Sequence, residues 1–192
     1  MSTPAATPAP PILPYDREPA AARPWNPLAP AAAAHLIALL QAAHLGLHVE
    51  HIGSSAIPGC DGKGILDLML LRRSEDELVQ VRDLLAHLGF QPQHGPRPWP
   101  ESRPCRVGSI WFAGEQFRIH AHLLPHDSPE VDRLRHFRDW LTQDDDARAA
   151  YIAAKRDITA DGEMDPDVYA SAKAVWVTAF LQERAGEGTD SD

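Results

Sequence analysis

The run Ile65-Leu66-Asp67-Leu68-Met69-Leu70-Leu71 constrains this chain more than any other stretch. All but one of its residues are apolar, which at this length predicts a strand covered on both faces. Asp67 is the exception. An ionised carboxylate inside such a strand costs roughly several kcal/mol unless a cation, a metal or convergent donors meet it. Just upstream, Leu47 to Ile52 reads as a shorter strand that ends in Gly53-Ser54-Ser55, and Pro58-Gly59 and Asp61-Gly62 then break a loop. A Gly-Ser turn leaving a strand exposes N–H groups and a hydroxyl able to cradle phosphate oxygens. Beside a metal-holding acid, it predicts a nucleotide site. The plainer alternative, that Asp67 merely caps a neighbouring loop, stays open at this point.

The rest of the chain supplies supports and partners. Ala31 to Leu45 carries Leu36, Leu39, Leu40 and Ala43 at helical spacing, and Glu75 to Leu88, capped by Ser74, carries Leu78, Val81, Leu85 and Leu88. Val107 to Ala113 and Gln116 to Leu124 form a hairpin around a predicted Gly114-Glu115 turn. On its second strand Arg118, His120, His122 and Leu124 share one face. Two histidines beside an arginine, with Asp67 on a neighbouring strand, predict a ligand cluster more than a lone histidine would. In the first strand Glu50 and His51 alternate, so only one of them can face the site. Lys63 is either a phosphate ligand or a solvated loop lysine. The loop with Arg97, Trp99, Arg103 and Arg106 is either a cationic wall or ordinary surface. Helices follow from Ser128, from about Asp146 and from Asp165-Pro166, the last to about Arg184.

A formal charge of −9 argues against a grip on long nucleic acids, which needs a basic face. Cys60 and Cys105 sit in no C-x-x-C spacing, which disfavours a disulfide framework or zinc knuckle and suits a reducing cytoplasm. No apolar run reaches the ~18 residues of a membrane span. Residues 1–14, rich in Pro and Ala, read as a flexible arm, residues 15–184 as one domain, and 185–192 as a disordered acidic tail. Trp25 reads as an anchor that packs the arm down. Oligomeric state is not legible.

The run Val49-Glu50-His51-Ile52-Gly53-Ser54-Ser55-Ala56-Ile57-Pro58-Gly59, then Lys63 and Ile65-Leu66-Asp67-Leu68, resembles the signature of the GrpB family, a branch of the nucleotidyltransferase superfamily. Later hallmarks recur in His120-Ala121-His122, Phe137 to Leu141, Tyr151 with Lys155, and Tyr169 with Lys173. The resemblance implies an α+β fold, a nucleotidyltransferase-like mixed sheet flanked by helices. It further implies transfer of a nucleotidyl group from a nucleoside triphosphate to a small-molecule acceptor. Its alternatives are a nucleotide-binding regulatory module without the chemistry and a metal-dependent phosphohydrolase. Gly53, Ser54, Ser55, Lys63 and Arg106 would then hold the nucleotide, and Asp67, His120 and His122 a divalent metal. Glu50, His51, Arg118 and Lys173 would stand behind them. One feature departs from the superfamily, whose Asp-x-Asp pair here reads Asp67-Leu68-Met69. Thioether sulfur is a poor ligand for magnesium, so the donor set favours manganese or zinc, with magnesium the superfamily's usual ion.

Overall fold

In the computed structural model, residues 10–93 and 99–187 are described, with side chains to Arg184. Among the described residues the sheet has five strands, β1 (His48–Ile52), β2 (Ile65–Arg72), β3 (Gln91–Pro92), β4 (Cys105–Phe112) and β5 (Glu115–Pro125), in the order β1-β2-β5-β4-β3. Only β2 and β5 run parallel, side by side at the centre, and the other neighbours are antiparallel. Helices α1 (Ala29–Ala43), α2 (Glu75–His87), α3 (Pro129–Gln143), α4 (Asp145–Ile158) and α5 (Pro166–Glu187) flank it, so the expected α+β class holds.

Strand alternation divides the sheet into two unlike faces. Val49, Leu66, Leu68, Leu70, Ile119, Ala121 and Leu123 point to one side, where Leu36 and Leu40 of α1 and Leu78, Val81 and Leu85 of α2 seal them. On the other side Ile52, Met69, Leu71 and Leu124 meet Val131 and Leu134 of α3. Here the rest of the face, built from β2, β4 and β5, lines a cavity. Local signals set these elements as expected. Ser74 Oγ accepts from Glu77 N at 3.1 Å, and Ser128 Oγ caps α3, whose first residue is Pro129. The hairpin turn lies one residue earlier than predicted. Ala113 and Gly114 both take positive φ (51° and 85°), and Phe112 pairs with Glu115, the two-residue geometry whose twist suits a tight hairpin.

Of the expected arm, residues 1–9 lie outside the described residues, and Ile12 to Pro14 are held against the sheet. Ile12 is 1% exposed and sits where a Cβ on Gly108 or Gly89 would collide with it, so those two glycines make its seat. Leu13 then pairs with Ser109 beyond β3, and Ser109 Oγ donates to Pro14 O at 2.8 Å. From there the chain straps across the cavity. Ala20 pairs with Met164 and Arg23 with Gly62, and Trp25 Nε1 donates to Ser55 O, so Trp25 is the expected anchor. At the other end α5 runs to Glu187, past its expected stop, and residues 188–192 of the tail lie outside the described residues.

Candidate functional site

Register assembles the site. On the cavity face Asp67 of β2 stands opposite His120 of β5, Met69 opposite His122, and Ile65 opposite Arg118. Across the hairpin Cys105 faces His122, and Val107 faces His120. Asp67 Oδ1 therefore lies 3.5 Å from His120 Nδ1 and 3.6 Å from His122 Nε2, so the acid and the imidazoles do converge. They form the floor of a cavity of about 500 Å³. Its wall carries Lys63, Arg118, Lys173 and Arg103 as cations, and Phe137, Leu134, Tyr151 and Val177 as an apolar side.

The turn after β1 is shaped around Asp67. Gly53 has φ 73°, and a Cβ there would lie 2.5 Å from Asp67 Oδ2, so only glycine lets the backbone pass the carboxylate this closely. Lys63 reaches the cavity because its loop is tied down, Arg118 Nη2 donating to Lys63 O at 2.7 Å. Its ammonium stands 5.3 Å from the centre of the Tyr169 ring. The loop between Gly53 and Asp61 is held from behind by Lys155 of α4, which is 2% exposed. Its Nζ donates to Asp61 O, to Ser54 Oγ at 3.2 Å and towards Cys60 Sγ at 3.2 Å.

Electrostatics at the floor follow from sharing. Burial would raise the Asp67 carboxyl, but the two imidazoles beside it hold it well below the usual range. Burial would lower His122, yet Cys105 and Asp67 against it push it up to about 10. His120 moves down, through burial first, with the attraction of Asp67 partly offset by His122. The arrangement thus favours one imidazolium, one neutral imidazole and one carboxylate. Burial, helped by Lys173 nearby, lowers Lys63 to about 8, so it keeps most of its charge at neutrality.

Several expected residues stand elsewhere. Ser54 spends its hydroxyl on Lys155, Ser55 Oγ pairs with His51 Nε2 at 2.9 Å, and neither lines the cavity. Arg106 is opposite Ala121, so it points to the other face, where its guanidinium meets Glu101. The alternation of β4 excludes it from the wall expected of it. Arg103 does line the cavity, stacked over Trp99 with its guanidinium carbon 4.3 Å from the ring centre, whereas Arg97 lies outside the described residues. His51 is opposite Leu68, on the helix-packed face, where burial lowers it to about 4. Glu50 is on the cavity side but is drawn away to α3, accepting from Arg135 Nε at 2.9 Å and Arg138 Nη1 at 3.3 Å.

The sequence reading missed Cys105 and Tyr15. Cys105 belongs to β4, which begins two residues before the predicted strand, and this earlier start puts it on the histidine face. Tyr15 Oη lies 3.1 Å from His120 Nε2, a contact across the arm that carries no local signal. Met69, where a second acid would stand, is wholly buried under Val131 and Leu134.

The GrpB protein family profile matches residues 20–183. A UPF0157 protein of Halalkalibacterium halodurans is 31% identical over 137 residues, 71% of this chain and 66% of the relative. A dephospho-CoA kinase of Mycolicibacterium paratuberculosis is 29% identical over 200 residues, 91% of this chain and 48% of the relative. The chain spans between about half and two thirds of the length of the first curated relatives it matches. Among solved structures, the conserved protein GrpB from Enterococcus faecalis shares the fold at a TM-score of 0.62 and 16% identity, over 84% of this chain and 99% of that one.

Proposed function

Taking as premise that the chain belongs to the GrpB family, we propose that it binds a nucleoside triphosphate in this cavity and transfers the nucleotidyl group to a small-molecule acceptor, with one divalent ion held by Asp67, His120 and His122. The observation that carries the reading is the floor of the cavity: one carboxylate oxygen within 3.6 Å of two imidazole nitrogens, under a wall bearing Lys63, Arg118 and Lys173. Lys63, Arg118, Lys173 and Arg103 neutralise the phosphates, and Gly53 lets the backbone pass close to the Asp67 carboxylate. The apolar side formed by Phe137, Leu134 and Val177 takes the base or the acceptor and keeps water out. In-line attack on the α-phosphorus asks the protein for positioning and charge stabilisation rather than covalent help. A bound divalent ion adds a Lewis acid at the phosphate oxygens.

A pair of magnesium ions does not suit these residues. The second acid is replaced by a buried thioether, and the remaining donors are mostly nitrogen and sulfur, which favours a single borderline ion. That replacement also supports a second reading, a module that binds nucleotide without chemistry. Calorimetry with ATP and CTP, with and without manganese, together with a pyrophosphate assay, separates the two. Manganese-dependent binding with pyrophosphate release is the expected result for the transferase. Binding without release supports the module, release of inorganic phosphate alone supports a phosphohydrolase, and absence of nucleotide binding refutes both the transferase and the module.

A further inference from the structure

We propose that Cys105 joins His120 and His122 as a ligand of one zinc-class ion, with Asp67 at the fourth position, where water or substrate competes with it. The proposal rests on the metal part of the proposed function and is independent of the nucleotide part.

The geometry comes from the sheet. Cys105 and His122 are directly opposed across the β4–β5 ladder, and His120 follows two residues along the same face. The Cys105 sulfur and one ring nitrogen of each histidine all lie within 4.8 Å of one another. A tetrahedral ion with bonds of ~2.0–2.3 Å holds its donors about 3.5 Å apart, so ordinary side-chain rotation closes the set. Asp67 Oδ1 already stands at that spacing from both rings, at 3.5 and 3.6 Å. Tyr15 Oη meets His120 at Nε2 and leaves Nδ1 directed at Asp67, the division of roles by which an outer partner orients a ligating imidazole.

Chemistry then selects the ion. Cys105 is 2% exposed and sits on rigid strand backbone, so its sulfur is presented to the imidazoles and not to solvent. Thiolate and imidazole suit zinc and other borderline ions, and they repel the choice of magnesium, which demands oxygen and sheds its water reluctantly. Three protein ligands with one exchangeable position is the pattern of a reactive zinc site, whereas a structural one is closed by four side chains. Trp99, whose ring stands edge-on to His122 at 5.7 Å between centres, screens the site on the outer side.

The test uses the full chain without nucleotide. Metal content is measured after equilibration with zinc, cobalt or manganese, affinity by competition with a chromogenic chelator, and cobalt coordination by absorption. The expected result is one zinc per chain, bound at least about 100-fold more tightly than manganese, and a thiolate-to-cobalt charge-transfer band in the near ultraviolet. Cys105→Ser and Cys105→Ala should lose that band and weaken zinc at least about 100-fold, with the circular dichroism of the metal-free protein unchanged. One bound cobalt without the band, or zinc held as tightly by both variants as by the parent, overturns the role of Cys105. Failure to retain any of the three ions overturns the metal site itself, and with it the metal part of the proposed function, whatever the nucleotide assays show.

Discussion

The two faces of β2 and β5 are made by the same strands in strict alternation, yet one is nearly all aliphatic and the other holds an acid, two histidines and an arginine. Leu66, Leu68, Leu70, Ile119, Ala121 and Leu123 are each 1% exposed or less. Their neighbours Asp67, His120 and His122 retain 29%, 16% and 18% exposure of their side chains at the cavity floor. The first face provides stability through area removed from water. The second gives some of that up, since polar groups there are kept partly desolvated. Within the second face α3 draws a further boundary: Met69 falls on the cavity side of β2 and is nonetheless core. The largest expected effect tests that boundary. Met69→Asp, which puts an acid at the second position of the expected pair, should cost about 4 kcal/mol because it places a carboxylate beneath Val131 and Leu134 and beside Asp67. Urea denaturation measures it, and an unchanged midpoint would mean that α3 leaves room there for a second metal ligand.

Leu68→Ala probes the aliphatic face from inside one shared strand. Leu68 is 0% exposed among the residues packed by α1 and α2, and its truncation should cost about 3 kcal/mol. Metal and nucleotide affinity of the folded protein should stay within about twofold, because rigid strand backbone separates the two sides. A large loss of affinity at that position would show that the two faces are not independent. Gly53→Ala should do the reverse. Its positive φ and the 2.5 Å approach to Asp67 Oδ2 predict about 2 kcal/mol of strain and a displaced carboxylate. The metal and nucleotide titrations should weaken by more than that stability loss accounts for.

The contrast also explains what was legible in the sequence. Period-two alternation and cap residues write themselves locally, so the strands, the helix starts at Ser74 and Ser128, and the shared face of His120 and His122 could all be read. The convergence of Asp67 with the two histidines followed once a parallel β2–β5 pair was granted. What stayed hidden depends on strand ends and long-range register. Two extra residues of β4 bring Cys105 to the histidine face and turn Arg106 away from it. Tyr15 reaches His120 across more than a hundred residues of chain only because Ile12 finds a seat over Gly108 and Gly89. The Gly-Ser turn was recognised for the right neighbourhood, but Lys155 takes the Ser54 hydroxyl from behind and leaves Gly53 alone at the cavity.

The smallest effect concerns the edge of the second face, where Glu50 ties α3 to β1. Its side chain is 17% exposed and takes hydrogen bonds from Arg135, Arg138 and His48; Asp132 and Asp139 share the two arginines. Burial would raise the Glu50 carboxyl, but the guanidinium of Arg135 and the ring of His48 hold it down at about 2. A depressed carboxyl contributes stability that is fully present above its unfolded value near 4.5 and is lost as pH falls from there towards 2. Glu50→Gln should therefore cost about 1 kcal/mol at neutral pH, a figure kept low by solvent screening of the arginines. The gap between parent and variant should narrow steadily below pH 4.5 in urea midpoints taken at successive pH values. Because α3 is also the lid over Met69, the variant should weaken binding at the cavity slightly if α3 loosens. If binding is untouched while stability falls, the clamp belongs to the structural side of the division even though it stands on the cavity side of the sheet.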